Sequence, residues 1–203
     1  MKNIPDVTLN LLIFLVTAWF VFGFFRKDGK WAPEKGKIAF RFFTCQSNVL
    51  CGAACLLTAA TAAAGEIPDW IWTLKYAGTA AVTVTMLTMF LFLAPSIGSG
   101  WTEKLLTGRA HDLFMHLITP VTALVSFCVF EKRGLSFARA MYGMVPVLLY
   151  GFLYLYRIRY APEEKRWEDF YGFSRGGKLA LNLAGMVTGT FLVCMILTAV
   201  QNA

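Results

Sequence analysis

The sequence predicts an all-α polytopic membrane protein, a bundle of six transmembrane helices. Three observations predict it. Of the 203 residues, 57% are hydrophobic and only 15% are charged, against about 45–50% and about 25% in soluble domains. The apolar residues are gathered into blocks long enough for a helix of roughly 20 residues to cross hydrocarbon. The charges collect between those blocks.

The blocks fall at about 8–25, 39–64, 70–94, 112–130, 137–156 and 179–200. They leave no room for a soluble domain, so residues 1–203 are expected to form a single membrane domain. The first block lacks the small-residue cleavage pattern of a secretory signal and ends in Phe24, Phe25, Arg26 and Lys27, so it is expected to be a retained span. The second block closes on an alanine run and carries Gly52, Ala53 and Ala54. Small residues let helices approach closely, which places this span in the middle of the bundle. The third carries Thr79, Thr83, Thr85 and Thr88, whose hydroxyls are expected to bond back to the backbone or to a neighbouring helix. "APSIGSGW" then breaks the chain. The fourth block opens at Asp112 and contains His116. After the fifth comes the longest loop, whose Trp167, Phe170, Tyr171 and Phe173 read as headgroup-level aromatics. The sixth carries Gly185 and Gly189 in a GxxxG spacing suited to close packing within the chain or against another subunit.

The net charge of +7 is a loop property rather than a nucleic-acid footprint. Loops one, three and five hold fourteen of the nineteen Lys and Arg residues. The other side has Lys2, Lys75, Lys132, Arg133 and Arg139. The positive-inside rule then puts loops one, three and five in the cytoplasm and both termini outside, in what is read as a bacterial inner membrane. All five cysteines lie inside blocks, where thiols behave as small apolar groups. Cys51 and Cys55 have no histidine near them in sequence, so no metal and no cofactor are expected.

One apolar block is less simple than the rest. Arg41, Thr44, Gln46, Ser47 and Asn48 crowd the start of the second span. Spans two, four and six all start from one membrane surface. At ~1.5 Å rise per residue, Thr44 and His116 lie roughly 6–9 Å below their helix starts. Asn48, four residues after Thr44, faces the same way, and Asn182 is about a turn into the sixth span. Thr44, Asn48, His116 and Asn182 are therefore expected to share one shallow cavity. An ionisable residue inside a span is a functional-site hypothesis by default, with interhelical hydrogen bonding as the equal alternative. His111, five residues before His116, is about 140° away on a regular helix, so the two do not face one metal or haem. Asp112 is either an orienting partner for His116 or an acid placed by the helix dipole.

The chemistry open to such a cavity is narrow. HExxH and a GxSxG elbow are absent from the sequence. A hydroxyl nucleophile with a histidine base remains. Thr44 is the candidate nucleophile, with Ser47 as the alternative. Helical backbone amides are already bonded, so an oxyanion would need side-chain donors, and Asn48 and Asn182 supply them.

At "FRFFTCQSN" and "FMHLITPV" the sequence resembles the androgen-induced and FAR-type six-span membrane threonine hydrolases, a family with shorter bacterial members. The resemblance implies hydrolysis of fatty acid esters of hydroxy fatty acids, with Thr44 and His116 at the positions of the family's catalytic pair. Met115 before the histidine and Pro120 after it belong to the same likeness. "WEDFYGF" resembles the aromatic stretch before the family's last span, with Gly172 where a proline is usual. The expected partners are a lipid or fatty-acyl ester and the membrane, with no nucleic acid; acyl transfer is a close variant. The rival reading is a non-enzymatic carrier or channel, against which stand the lack of an internal repeat and of clear mid-membrane charges. A structural subunit is the third, and it would place Thr44 and His116 on different faces.

Overall fold

The computed structural model describes residues 4–93, 100, 105 and 108–203. The break at 94–101 and Lys104 therefore lie, but for Gly100, outside the described residues. Six helices are each long and apolar enough to cross a bilayer: Ile4–Phe24, Phe43–Ala64, Asp69–Phe92, Ala110–Phe130, Phe137–Tyr160 and Leu179–Asn202. The chain is a polytopic, all-helical six-span bundle.

The helix ends differ from the apolar blocks for identifiable reasons. The first span begins at Ile4, before its apolar block, because proline is accepted in a first helical turn and Asp6 and Asn10 are buried among polar partners. The second begins at Phe43. The residues before it form a separate short helix, Pro33–Ala39, and a turn. Between the first span and that helix lies a two-stranded antiparallel hairpin, Arg26–Lys27 with Lys30–Trp31. Its turn residues Asp28 and Gly29 both take positive φ, 50° and 78°, as a tight hairpin turn requires. The second span stops at Gly65, whose φ of 119° is open to glycine.

The third span, not the second, is the most enclosed: 61% of its membrane window is buried against 44% for the second. It packs on spans two, four, five and six. Its Trp72 and Tyr76 sit against Phe127, with ring centroids 5.5 and 5.7 Å apart, in a core completed by Val193 and Leu197. The small residues of the second span still do what their size suggests. A Cβ on Gly78 would lie 2.8 Å from the Cα of Cys51, so spans two and three touch backbone to backbone there. A Cβ at Gly185 or Gly189 would meet no described neighbour within 4 Å, and both lie on the exposed face of the sixth span. Thr83 and Thr85 return their hydroxyls to the carbonyls of Thr79 and Ala81.

The fourth span is not a regular α-helix. It widens into π turns at Phe114–Ile118 and at Ser126–Phe130. Pro120 accounts for the first: it lacks an N–H for the carbonyl of His116, and its ring crowds that carbonyl. In the second, i to i+5 geometry swings Glu131 back beneath Ser126, whose hydroxyl donates to Glu131 Oε1 at 2.7 Å. Carbonyls near this end are capped from other spans. Gln201 donates to Phe127 at 2.7 Å and the Trp72 indole to Glu131 at 3.1 Å.

The aromatics of the longest loop pack inward rather than ringing the surface. Phe170 lies 4.5 Å from Phe42 and 5.0 Å from Tyr154 between ring centroids. Asp169 anchors them, accepting from the Tyr154 hydroxyl at 2.8 Å and from the amides of Phe173 and Ser174 at 2.9 and 2.7 Å. Burial pushes its carboxyl up, but the Ser174 amide, the Tyr154 hydroxyl and the Phe173 amide outweigh that and hold it below its ordinary 3.8.

Candidate functional site

The start of the second span is held from two directions. From the long loop, the Tyr171 hydroxyl accepts the Phe43 amide at 3.1 Å, one of the amides a helix start leaves unpaired. From the fifth span, the Tyr150 hydroxyl donates to the Arg41 carbonyl at 2.8 Å. Gln46 reaches back to the Phe40 carbonyl at 2.8 Å. These bonds account for the polar crowding at this end. They fix the backbone that carries Thr44.

Asn48 joins that backbone to the fourth span. Its amide nitrogen donates to the carbonyl of Thr44 at 2.8 Å and to that of Met115 at 3.1 Å. One fully buried side chain thus clamps the helix bearing the hydroxyl to the helix bearing the imidazole, one residue before His116. Both of its N–H groups are spent on this clamp. Its Oδ1 is buried without a partner, and so is His116 Nδ1. Thr44 is half-buried, and its hydroxyl makes no hydrogen bond among the described residues.

The other candidates sit apart from this clamp. Ser47 is buried and shares a hydrogen bond with Thr85 at 2.8 Å while donating to the Thr44 carbonyl at 3.1 Å, so its hydroxyl is engaged with the third span. Asn182 donates to the Phe173 carbonyl at 3.0 Å and belongs to the long loop's anchorage. Asp112 lies 3.4 Å from His111. The π turn between His111 and His116 narrows the separation that a regular helix would give them. His111 itself rests edge-on against Phe24, with centroids 5.1 Å apart. No hydrogen bond links Thr44 to His116; what the structure brings together is their helices, at one membrane side.

Beside the clamp, a groove of about 270 Å³ runs between the second and fifth spans, lined by Phe43, Gln46, Ser47, Leu50, Leu149 and Leu153 among others. It opens toward the lipid-facing side, where Leu149 and Leu153 are exposed. Thr44 is not among the residues lining the groove.

At the opposite end of the bundle lies a polar cluster that the apolar pattern concealed: Asp6, Asn10, Lys75, Ser126 and Glu131, none more than 4% exposed. The sequence groups Lys75 with the loop charges of that side; the structure corrects this, because Lys75 is fully buried in the third span, 3.0 Å from Glu131. The available signals were a lysine six residues inside an apolar block and the i, i+4 pair of Asp6 and Asn10.

Comparison with known protein families gives no match, and comparisons with curated proteins and with solved structures give none either.

Proposed function

We propose that this chain is an intramembrane lipid acyl-ester hydrolase of the kind its sequence motifs resemble. The observation that carries the reading is the Asn48 clamp: one side chain ties the Thr44 backbone to the Met115 backbone and leaves the neighbouring His116 Nδ1 buried and unpartnered. A buried imidazole nitrogen without a partner costs free energy, and a substrate or a proton in transit would repay it.

In this reading Thr44 Oγ1 attacks the ester carbonyl as His116 takes its proton. His116 then returns the proton to the departing alcohol oxygen. Water attacks the acyl-threonine with the same imidazole as base, releasing the fatty acid and restoring the hydroxyl. A second alcohol in place of water gives acyl transfer. Asn48 serves as a positioning residue, since both of its amide hydrogens are already committed. The groove between spans two and five suits an acyl tail entering from lipid. Loops one, three and five are assigned to the cytoplasm of a bacterial inner membrane, an asymmetry sharpened now that Lys75 is no loop charge.

A fluorophosphonate probe tests the proposal. The wild-type protein should be labelled at Thr44, and the Thr44→Ala and His116→Ala variants should not. A folded wild-type protein that resists the probe and hydrolyses no acyl ester would sink it. A carrier reading draws support from one observation, the buried Lys75–Glu131 cluster, because ionisable groups within spans line ion and proton paths in many carriers. Solute flux into vesicles that survives Thr44→Ala would favour it.

A further inference from the structure

The cluster opposite the clamp has more charge and fewer hydrogens than a closed network needs. Lys75 Nζ donates to Glu131 Oε1 at 3.0 Å, to Ser126 Oγ at 3.1 Å and to Asn10 Oδ1, which uses all three of its hydrogens. Asn10 Nδ2 has two hydrogens but four acceptors in range: the Asp6 carbonyl, Asp6 Oδ1 and Glu131 Oε1 at 3.0 Å, and Ser126 Oγ at 3.1 Å. Ser126 has one hydrogen for Asp6 Oδ1 at 3.0 Å and Glu131 Oε1 at 2.7 Å. Glu131 Oε2 is buried without a hydrogen-bond partner among the described residues. The Asp6 and Glu131 carboxyls thus share two donors, Asn10 Nδ2 and Ser126 Oγ, which holds them side by side.

Charge and hydrogen count converge. Two carboxylates on shared donors and one ammonium leave one excess negative charge in a buried site. Like charges held side by side do not both stay ionised when buried. One further hydrogen satisfies both deficits at once: it cancels the excess charge and supplies the donor that the carboxyl oxygens lack. A purely structural ion pair would need only Lys75 and one acid.

We infer that Asp6 and Glu131 form a proton-binding site that holds a single shared proton, exchanged with the water at the end of the fourth span. The helix ends at Phe130 and the chain at 131–136 has no regular structure, so the buried Glu131 carboxyl lies one residue from the exposed Lys132. Loading forms one O–H bond on a carboxylate oxygen, with hydronium as the donor and water left behind; no electrons are exchanged. Lys75 faces the pair from the third span, and Cys51 and Cys55, 4.0 Å apart, face Lys75 from the second. Lys132 and Arg133, next in the chain, are exposed, and the sixth span presents the neutral Gln201. The inference is independent of Thr44 and His116.

Infrared difference spectroscopy on the full-length protein in proteoliposomes tests it. The wild type should show one protonated-carboxyl C=O band that shifts in D2O and vanishes as pH is raised. The isosteric Asp6→Asn and Glu131→Gln variants, each left with one acid for one lysine, should lose that band. Absence of the band from the wild type at every pH would overturn the inference without any variant. So would its persistence with unchanged titration in both variants. Loss of the band on adding Na⁺ at constant pH would also overturn it, by showing that a metal cation balances the site.

Discussion

The two ends of this bundle hold polar groups in opposite ways. Around Lys75 and Glu131 nearly every atom is engaged, and acceptors outnumber the hydrogens available. Around Thr44 and His116 the backbone is clamped while, among the described residues, the Thr44 hydroxyl makes no hydrogen bond and the imidazole Nδ1 is buried without a partner. A site that takes up only a proton can engage nearly all of its atoms and lack just one hydrogen, as Glu131 Oε2 does among the described residues. A site that must bind a larger molecule keeps atoms in reserve and places the cost of order on its supports. The crowding near Thr44 is of this second kind, since Gln46, Ser47, Asn48 and Tyr171 all serve the backbone around it.

The largest expected effect separates the two ends by activity. Thr44→Ala should abolish ester hydrolysis and probe labelling. His116→Ala should lower the labelling rate by about 10²–10⁴-fold, the usual contribution of a general base. Neither should shift thermal unfolding much, because neither side chain makes a hydrogen bond among the described residues. Equal loss of stability in these variants would erase the contrast.

Next, Lys75→Met should destabilise the protein by about 3–5 kcal/mol, the cost of leaving a buried charge without its counter-ion. Unfolding in detergent measures it, and the labelling rate of the protein that remains folded should be near wild type. A variant that is stable but unreactive would mean that the two ends are coupled.

Tyr171→Phe removes the acceptor of the Phe43 amide and should cost about 1 kcal/mol. It should also raise KM more than it lowers kcat, since it loosens the approach to Thr44 rather than the chemistry. An equal fall in kcat alone would place Tyr171 among the reacting groups.

The smallest effect is acid sensitivity of the long loop. The Asp169 carboxyl lies below its ordinary 3.8 when folded, so its stabilisation is fully present above pH 3.8 and is lost as pH falls through the lower folded value. Proteolysis of the loop should increase only in that acid range, and Asp169→Asn should remove the dependence while exposing the loop at every pH. Unchanged acid behaviour in that variant would assign the transition to another carboxyl.

Much of the fold was legible because bilayer solvation acts on composition averaged over a whole helix. Blocks of that length stand out in a linear chain, and the six helices lie where the blocks do, shifted by a few residues at Ile4 and Phe43. The candidate site was legible in part. Thr44, Asn48 and His116 could be placed at one depth by counting residues from helix starts, and the Asn48 bond to Met115 does join those two helices. Asn182 and Asp112 could be placed at the right membrane side but not on a face. One is drawn to Phe173 and the other lies beside His111. Lys75 was hidden because averaging over an apolar block suppresses a single charge, and its partners lie 65 and 56 residues away in the chain.

By itself the sequence determined that this is a six-span helical membrane protein with polar residues at one end of the second span. Local hydrophobicity suffices for that, since each helix meets the bilayer on its own. Only the tertiary structure decided that the third span is the core, that a π turn carries Glu131 back to Ser126, and that Asn48 spends both hydrogens on two carbonyls. Those outcomes depend on which side chains from distant segments share each buried acceptor, and that competition is resolved only when the helices pack.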